Sequence, residues 1–511
     1  STKRSLIFNQ FNKELYQKFF MTTEEIQACR DGYIYVHDMS ARRDTMNCCL
    51  FDVTNVLTGG FEMGNIWYNE PKSLDVAFDV IGDIVLSAAS QQYGGFTVPE
   101  VDKILEPYAE KTYKKSLKKY QRLGIDAETA EAEAYADVKR EFEQGFQGWE
   151  YKFNTVASSR GDYPFITVTA GIGTGRFAKL ATISLLNVRR KGQGKKDCKK
   201  PVLFPKIVFL YDENLHGPGK ELEDVFEAGV KCSAKTMYPD WLSLTGKGYI
   251  ASMYKRYGKV ISPMGCRAFL SPWYERGGMH PADDNDSPIF VGRFNIGAVS
   301  LHLPMILAKS RQESKDFYEV LDYYLNLIRQ LHIRTYAYLG EMRASTNPLA
   351  YCEGGFLGGN LKLTDKIKPI LKAATASFGI TAFNELQELY NGNGVIITAE
   401  KLYEQYECGN IALLFDTANS IKTFSFTGNV CTINGKEFVI GQNQDEIHVG
   451  SSAWDAPAEG SVRKPFVLSI PMELYDEIDI ASASEIEEIA VELTIYKADG
   501  SAEKPIITIR L

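Results

Sequence analysis

Three short strings hold the residues of this chain best suited to chemistry. Met46-Asn47-Cys48-Cys49-Leu50 opens an apolar run, and Pro263-Met264-Gly265-Cys266-Arg267 sets a thiol between a glycine and a guanidinium after a Pro-initiated turn. Gly292-Arg293-Phe294-Asn295-Ile296-Gly297 adds an amide and a guanidinium in what reads as a Gly-flanked turn. A thiol in an electropositive, loop-borne setting is reactive, whereas a cysteine buried among apolar neighbours is packing. Nine cysteines, at positions 29, 48, 49, 198, 232, 266, 352, 408 and 431, include no CxxC pair, which excludes a disulfide framework and a Cys-rich zinc module. The six histidines form no HxxxH or HExxH pair, and His37 of His37-Asp38 could belong to an oriented polar pair but is expected to make a structural hydrogen bond. Gly171-Ile172-Gly173-Thr174-Gly175 fits neither the P-loop nor the dinucleotide spacing, so a plain strand-to-helix turn is expected. Tyr93-Gly94-Gly95 and Glu353-Gly354-Gly355 invite the same caution, because glycine serves turns as well as close approach to a ligand.

The elements that must position these residues follow from periodicity. Short β-branched or apolar runs at 34–37, 50–53, 165–170, 207–211 and 298–303 read as strands, and 101–119 and 128–146 read as long amphipathic helices. Basic 114–119 is followed closely by acidic 128–133, which argues for a solvated helix face and against direct nucleic-acid binding. Strands alternating with helices over almost 400 residues indicate an α/β architecture, in which chemistry sits on loops and strand ends.

The chain has 511 residues and a net charge of −8, but the charge is uneven. Residues 392–511 carry 19 acidic and 8 basic side chains, more than the whole excess, so residues 1–391 are slightly basic. After the turn signal Asn391-Gly392-Asn393-Gly394, short alternating segments at 421–426, 437–440, 465–470, 490–496 and 505–511 are separated by turns at 434–435, 450–452 and 499–500. They indicate two domains: residues 1–391, and an acidic all-β, sandwich-like domain over 392–511 without a catalytic constellation. No apolar run is long enough to span a membrane and no secretory core follows the N-terminus, so a cytoplasmic location is expected.

In order along the chain, Ile34-Tyr35-Val36-His37-Asp38, Asn47-Cys48, Leu57-Thr58-Gly59-Gly60 with Met63-Gly64-Asn65, Gln92-Tyr93-Gly94-Gly95, Leu203-Phe204-Pro205-Lys206, Met237-Tyr238-Pro239-Asp240, Pro263-Met264-Gly265-Cys266-Arg267, Gly292-Arg293, Asn295-Ile296-Gly297 and Ser377-Phe378-Gly379 form a series. That series resembles the anaerobic, class III ribonucleoside-triphosphate reductases, which are glycyl radical enzymes. The resemblance implies a ten-stranded α/β barrel with one cysteine on a central loop, matching Cys266, and a second on a neighbouring strand, matching Cys48. Cys266 would be the thiyl residue, Cys48 the thiol that helps reduce the 2′ position, and Asn295 the amide that hydrogen-bonds in the active site, where formate serves as overall reductant. Tyr93, Gly94, Gly95, Gly265 and Arg293 would line the substrate. Cys49 would then point to the opposite face, because side chains alternate along a strand. Implied partners are ribonucleoside triphosphates, nucleotide effectors near a homodimer interface to which the helices after Tyr93 contribute, and a radical SAM activase.

The chain departs from that pattern in what flanks the match. The family has an ATP-binding regulatory cone at its start, and at its end a four-cysteine zinc site and a segment whose glycine carries the stable radical. None of these is recognised here, and Cys408-Gly409 lacks the flanking residues of the radical segment. Three expectations follow: a reductase whose incomplete barrel and glycyl radical are supplied by a second polypeptide; an inactive, reductase-derived scaffold whose β domain binds or supports; or a different glycyl radical enzyme.

Overall fold

The computed structural model describes residues 3–42, 45–157, 163–265, 267–392, 394–397, 421–441, 446–449, 466–497 and 501–511. Cys266, Cys408, Gly409, and the turns proposed at 450–452 and 499–500 lie outside them.

The central feature is a mixed sheet. Its strands are β1 (Ile34–Val36), β2 (Cys49–Leu50), β3 (Phe96–Val98), β4 (Ile166–Ala170), β5 (Lys206–Tyr211), β6 (Asp240–Ser243), β7 (Arg293–His302) and β8 (Thr375–Thr381). Their order is β1-β7-β2-β3-β4-β5-β6, with β8 also on β7. Eight strands are thus counted among the described residues, where ten were expected for a barrel.

From β2 to β6 each neighbour is parallel. A parallel pair needs a crossover, and the sequence supplies helices between the strands. They are α1 (Leu74–Ala89), the antiparallel pair α2 (Val101–Arg122) and α3 (Ala127–Thr155), α4 (Arg176–Lys191) and α5 (Glu223–Thr236). Every residue of β3 and β4 is buried, as expected of strands covered on both faces. In α3 the side chains of Ala130, Ala134, Val138, Phe142, Phe146, Trp149 and Phe153 recur at three- and four-residue spacing and are all buried. Asp126 starts this helix by accepting the Thr129 N–H.

Two of the strand expectations need correction. The run at 50–53 stops at Leu50, because Asp52 accepts the Asn55 N–H and caps the short helix Val53–Leu57. The segment 292–297, expected as a turn, is extended: Gly292 N–H donates to Leu50 O, Asn295 N–H to Cys48 O, and Asn47 N–H to Asn295 O. Pairing with β2 lengthens the strand expected at 298–303 back to Arg293.

A buried ion pair ties α3 to α4. Arg189 Nε donates to Glu150 Oε1 at 2.7 Å, with both side chains essentially inaccessible, and Arg189 Nη2 donates to Pro205 O. Glu150→Ala would leave a buried guanidinium without its carboxylate and is expected to cost about 3–5 kcal/mol of stability. Chemical denaturation of the two proteins measures this.

The chain divides into two compact units. The first comprises Ser1–Glu14, Asp38–Gly297 and Arg334–Ala376; the second comprises Leu15–His37, Ala298–Ile333 and Ser377–Leu511. In the second unit, β1 pairs antiparallel with β7 through Ile34↔Leu301. His37 Nε2 lies 2.8 Å from Ser300 Oγ, the structural role expected of it. Helices α6 (Leu303–Glu313) and α7 (Phe383–Tyr390) cluster through Leu307 and Leu389 with Val467. The strand expectations of the tail hold: a five-stranded sheet centres on the pair Ile421–Ile433 and Glu488–Lys497, and a three-stranded sheet on Phe466–Ser469. Ile433, Leu468, Ile489, Val491 and Ile509 belong to one buried cluster.

His302 caps α6, its Nδ1 accepting the Met305 N–H at 3.3 Å. Burial pushes its pKa down to about 4 from 6.5. The unfolded chain therefore takes up this proton below pH 6.5 while the folded chain resists until about pH 4. The stabilisation is complete above 6.5 and is lost as pH falls through that window. Between pH 7 and pH 5 the loss is about 2 kcal/mol. His302→Asn, which keeps a capping oxygen, is expected to flatten that slope in unfolding measurements at the two pH values.

Candidate functional site

Cys48, expected on a strand, immediately precedes β2, which Cys49 begins, and the two adjacent thiols lie in different clusters as alternation of extended backbone requires. Cys48 packs with Leu50, Ile261, Met264, Leu270 and Phe290. Cys49 faces the main core with Met46, Phe51 and Phe96. Its Sγ donates to Gln92 Oε1, and burial pushes its pKa up to about 12.

Cys48 Sγ accepts the Gly95 N–H at 3.1 Å and lies 3.3 Å from Asn47 Oδ1. The turn that presents this N–H is fixed by Gln92, whose Nε2 donates to the carbonyls of Gly94 and Gly95. Both glycines are required by contact. A Cβ on Gly94 would stand 2.1 Å from Asn47 Oδ1 and 2.7 Å from Cys48 Sγ, and one on Gly95 would stand 2.4 Å from the Gly265 Cα.

Gly265 belongs to the loop of the second cysteine string. Cys266 is outside the described residues, but both neighbours are within them. Arg267 adopts φ +67° and its N–H donates to Met264 O, while Met264 N–H donates to Ala268 O. Arg267 Nε donates to Asp240 Oδ2 on β6 at 2.7 Å, and Nη1 to Gly265 O and Thr167 Oγ1. Thr97 Oγ1 donates to Pro263 O, and Ser262 Oγ meets Thr169 Oγ1. The loop is therefore anchored to β3, β4 and β6.

Asn295 flanks the site on β7. Its Oδ1 accepts the Gly297 N–H at 2.7 Å and its Nδ2 donates to Thr375 Oγ1 at 3.1 Å. Tyr93 Oη donates to Ile296 O. Arg293 is spent on backbone: Nε donates to Ala373 O, and Nη1 to Ser271 O and Ile289 O. Burial pushes its pKa down to about 10.

The sequence did not single out Gln92, Arg267 or Thr375 for a role, although Gln92 and Arg267 sit in the strings quoted above. Other candidates resolve into structure. The N–H groups of Gly171 and Gly173 donate to Asp102 Oδ2, so the glycine string cradles an internal carboxylate, which burial pushes up in pKa. Basic 114–119 is a solvated face, with Lys114 paired to Glu110. Among the described residues no group of three or more His, Cys, Asp or Glu could hold a metal, and no helix is long and apolar enough to cross a membrane.

Fold and site together define a mixed α/β protein in which Cys48, a Gly-Gly turn and the loop carrying Gly265 and Arg267 meet. Within that class the chain belongs to the anaerobic ribonucleoside-triphosphate reductase family, whose model matches residues 1–407. It is similar to the anaerobic ribonucleoside-triphosphate reductases of Salmonella typhimurium (32% identical, covering 81% of this chain and 56% of the relative) and Haemophilus influenzae (33%, covering 82% and 57%). That of Enterobacteria phage T4 is 33% identical, covering 75% and 61%. The chain thus spans a little over half the length of these relatives. Among solved structures, the anaerobic ribonucleotide reductase from Thermotoga maritima with citrate in the active site superposes with a TM-score of 0.50 at 14% identity, covering 76% of this chain and 65% of the other. That likeness is one of fold.

Proposed function

We propose that this chain carries the substrate-reducing half of an anaerobic ribonucleoside-triphosphate reductase. The observation that carries the reading is the contact of Cys48, just before β2, through Gly95, with Gly265 of the Cys266 loop. Cys266 serves as the thiyl residue that removes the ribose 3′ hydrogen and returns it. The resulting C3′ radical lets the 2′ hydroxyl leave as water, and Cys48 supplies hydrogen to the 2′ position. Formate closes the balance: ribonucleotide, formate and a proton give deoxyribonucleotide, carbon dioxide and water. Tyr93, Gly94, Gly95 and Gly265 line the ribose, Asn295 hydrogen-bonds beside it, and Arg293, expected to line it too, ties the segments at Ser271, Ile289 and Ala373 to β7. The protein's contribution is alignment and exclusion of water.

In this reading residues 1–391 are the catalytic domain and 392–511 an accessory β domain. The barrel reaches ten strands with polypeptide beyond the described sheet, and the glycyl radical comes from a segment outside the match, installed by a radical SAM activase. Nucleotide effectors and a homodimer go with that assignment. The inactive scaffold is not favoured by the family match. The test is anaerobic: the chain, a polypeptide carrying the radical segment, activase, formate and a ribonucleoside triphosphate are combined and deoxynucleotide is measured. Formation that depends on formate and on this chain is expected; no product in the complete mixture rejects the reading.

A further inference from the structure

A cavity with no part in the chemistry derived so far opens within the second compact unit and has a volume of about 640 Å³. A capping box of Thr22 and Glu25 starts the helix Thr23–Arg30, whose spacing brings Glu24 and Asp31 to the cavity. Asp316 accepts the Tyr318 and Glu319 N–H groups and so starts the helix Phe317–Gly340, on which Glu319 and Tyr323, and Val320 and Tyr324, line the cavity four residues apart. Four carboxylates, of Glu24, Asp31, Glu313 and Glu319, face two ammonium groups there, a net charge of −2. Both ammonium groups pair with one acid: Lys309 Nζ lies 2.7 Å and Lys315 Nζ 2.9 Å from the Glu313 carboxylate. The carboxylates of Glu24 and Glu319 make no hydrogen bond or ion pair among the described residues. Tyr324 is only 3% exposed and stacks on Tyr33 with ring centroids 4.8 Å apart, yet its hydroxyl has no hydrogen-bond partner among the described residues. Burial, the neighbouring phenols and the carboxylates of Asp31 and Glu313 push its pKa up, which keeps it neutral.

We propose that this cavity binds an aliphatic polyamine, a flexible chain carrying several ammonium groups. An ammonium donates hydrogen bonds and accepts none, so it matches carboxylates, a phenol oxygen and the faces of aromatic rings. The cavity already holds one such group in this way: Lys309 Nζ sits 5.3 Å from the Tyr33 ring centroid while paired with Glu313. A second ammonium supplies the N–H that the Tyr324 hydroxyl lacks. The acids are spread over separate helices, and no group of three or more His, Cys, Asp or Glu among the described residues could hold a metal, so a compact inorganic cation does not satisfy them. Each contact with a solvated carboxylate is weak, and a chain that joins several ammonium groups sums them. Its methylenes cover Val320 and the exposed ring of Tyr323, as lysine stems cover apolar surface. The volume is that of a small-molecule site, roughly 300–1,000 Å³, which favours a free polyamine over a lysine-bearing partner protein. The inference stands apart from the reductase reading and does not depend on it.

The test is calorimetric titration of the full chain with spermidine. Saturable binding is expected, and Tyr324→Phe, which removes only the phenol oxygen, should weaken it about tenfold. Glu24→Gln and Glu319→Gln should weaken it about threefold each, and the double variant about tenfold. Glu128→Gln, which removes an exposed acid of α3, should leave the affinity unchanged. If Tyr324→Phe does not fold, the two glutamate exchanges at the surface carry the test. Unchanged affinity in folded Tyr324→Phe or in the double variant overturns the inference, as does the absence of saturable binding to the wild-type chain. Magnesium that displaces spermidine at matched ionic strength as readily as putrescine does would reduce the site to a screened acidic surface. Tighter binding of a blocked trilysine peptide of equal charge would assign the cavity to a protein partner. Either result also overturns the polyamine assignment and leaves the reductase reading standing.

Discussion

Cys48→Ser is expected to abolish deoxynucleotide formation in the complemented anaerobic assay, by on the order of a thousandfold or more, while leaving the protein folded. The hydroxyl can still accept the Gly95 N–H that now reaches Cys48 Sγ, so the turn and its contact with Gly265 are preserved. What changes is the bond: an O–H is much stronger than an S–H and does not give up hydrogen to a carbon radical. Loss of activity with unchanged unfolding behaviour therefore assigns the effect to chemistry. The adjacent thiol supplies the contrast. Cys49 lies in the opposite cluster with its pKa pushed up to about 12, so it is almost entirely protonated at neutral pH and should resist alkylation. Cys49→Ala is expected to lower stability by about 1–2 kcal/mol through lost packing, with activity per folded molecule retained. If Cys49→Ala abolished turnover and Cys48→Ser did not, the face assigned to chemistry would be wrong.

That contrast was legible from two adjacent letters, because strand alternation is a local rule. The long helices were legible for the same reason: the burial of Phe142, Phe146, Trp149 and Phe153 is their spacing made visible. The tail strands, too, are joined by short turns such as Asn434-Gly435 and announce themselves locally. What the sequence hid depends on partners far along the chain. Strands of three and four residues at Phe96–Val98 and Asp240–Ser243 carry too little pattern to be seen, yet they bear the turn and the carboxylate that hold the cysteine loop. Gly171 to Gly175 looked like a turn or an anion cradle, and Asp102, almost 70 residues earlier, decides between them. Asn295 was visible within its string, but its extended backbone needed β2 and its amide needed Thr375. Glu24 and Tyr324 sit far apart in the sequence, and only the folded chain lines one cavity with both.

Gly95→Ala puts the central contact to the sharpest test. The new methyl would stand 2.4 Å from Gly265 Cα, 2.9 Å from Gly265 N and 3.0 Å from the Phe165 ring. The ring can turn, but the other two atoms are backbone in a loop held by Arg267, Thr97 and Ser262, so the loop or the strand must move bodily. Overpacking of this kind costs about 1–3 kcal/mol of stability. The larger effect is on rate. A displacement of about 1 Å between the loop and Cys48 is enough to lose two orders of magnitude in turnover where reacting groups must be in contact. Gly148→Ala is the matched control: nothing lies within 4 Å of its Cβ position, and it sits in the interior of α3. There the methyl should raise stability by about 0.5–1 kcal/mol through helix propensity and leave turnover alone. Unfolding and turnover measured on both variants separate the two glycines by sign as well as size. Equal small effects in both would mean that Gly95 and Gly265 are not held together in the working enzyme, and the proposed approach of the Cys266 loop to Cys48 would fall with that contact.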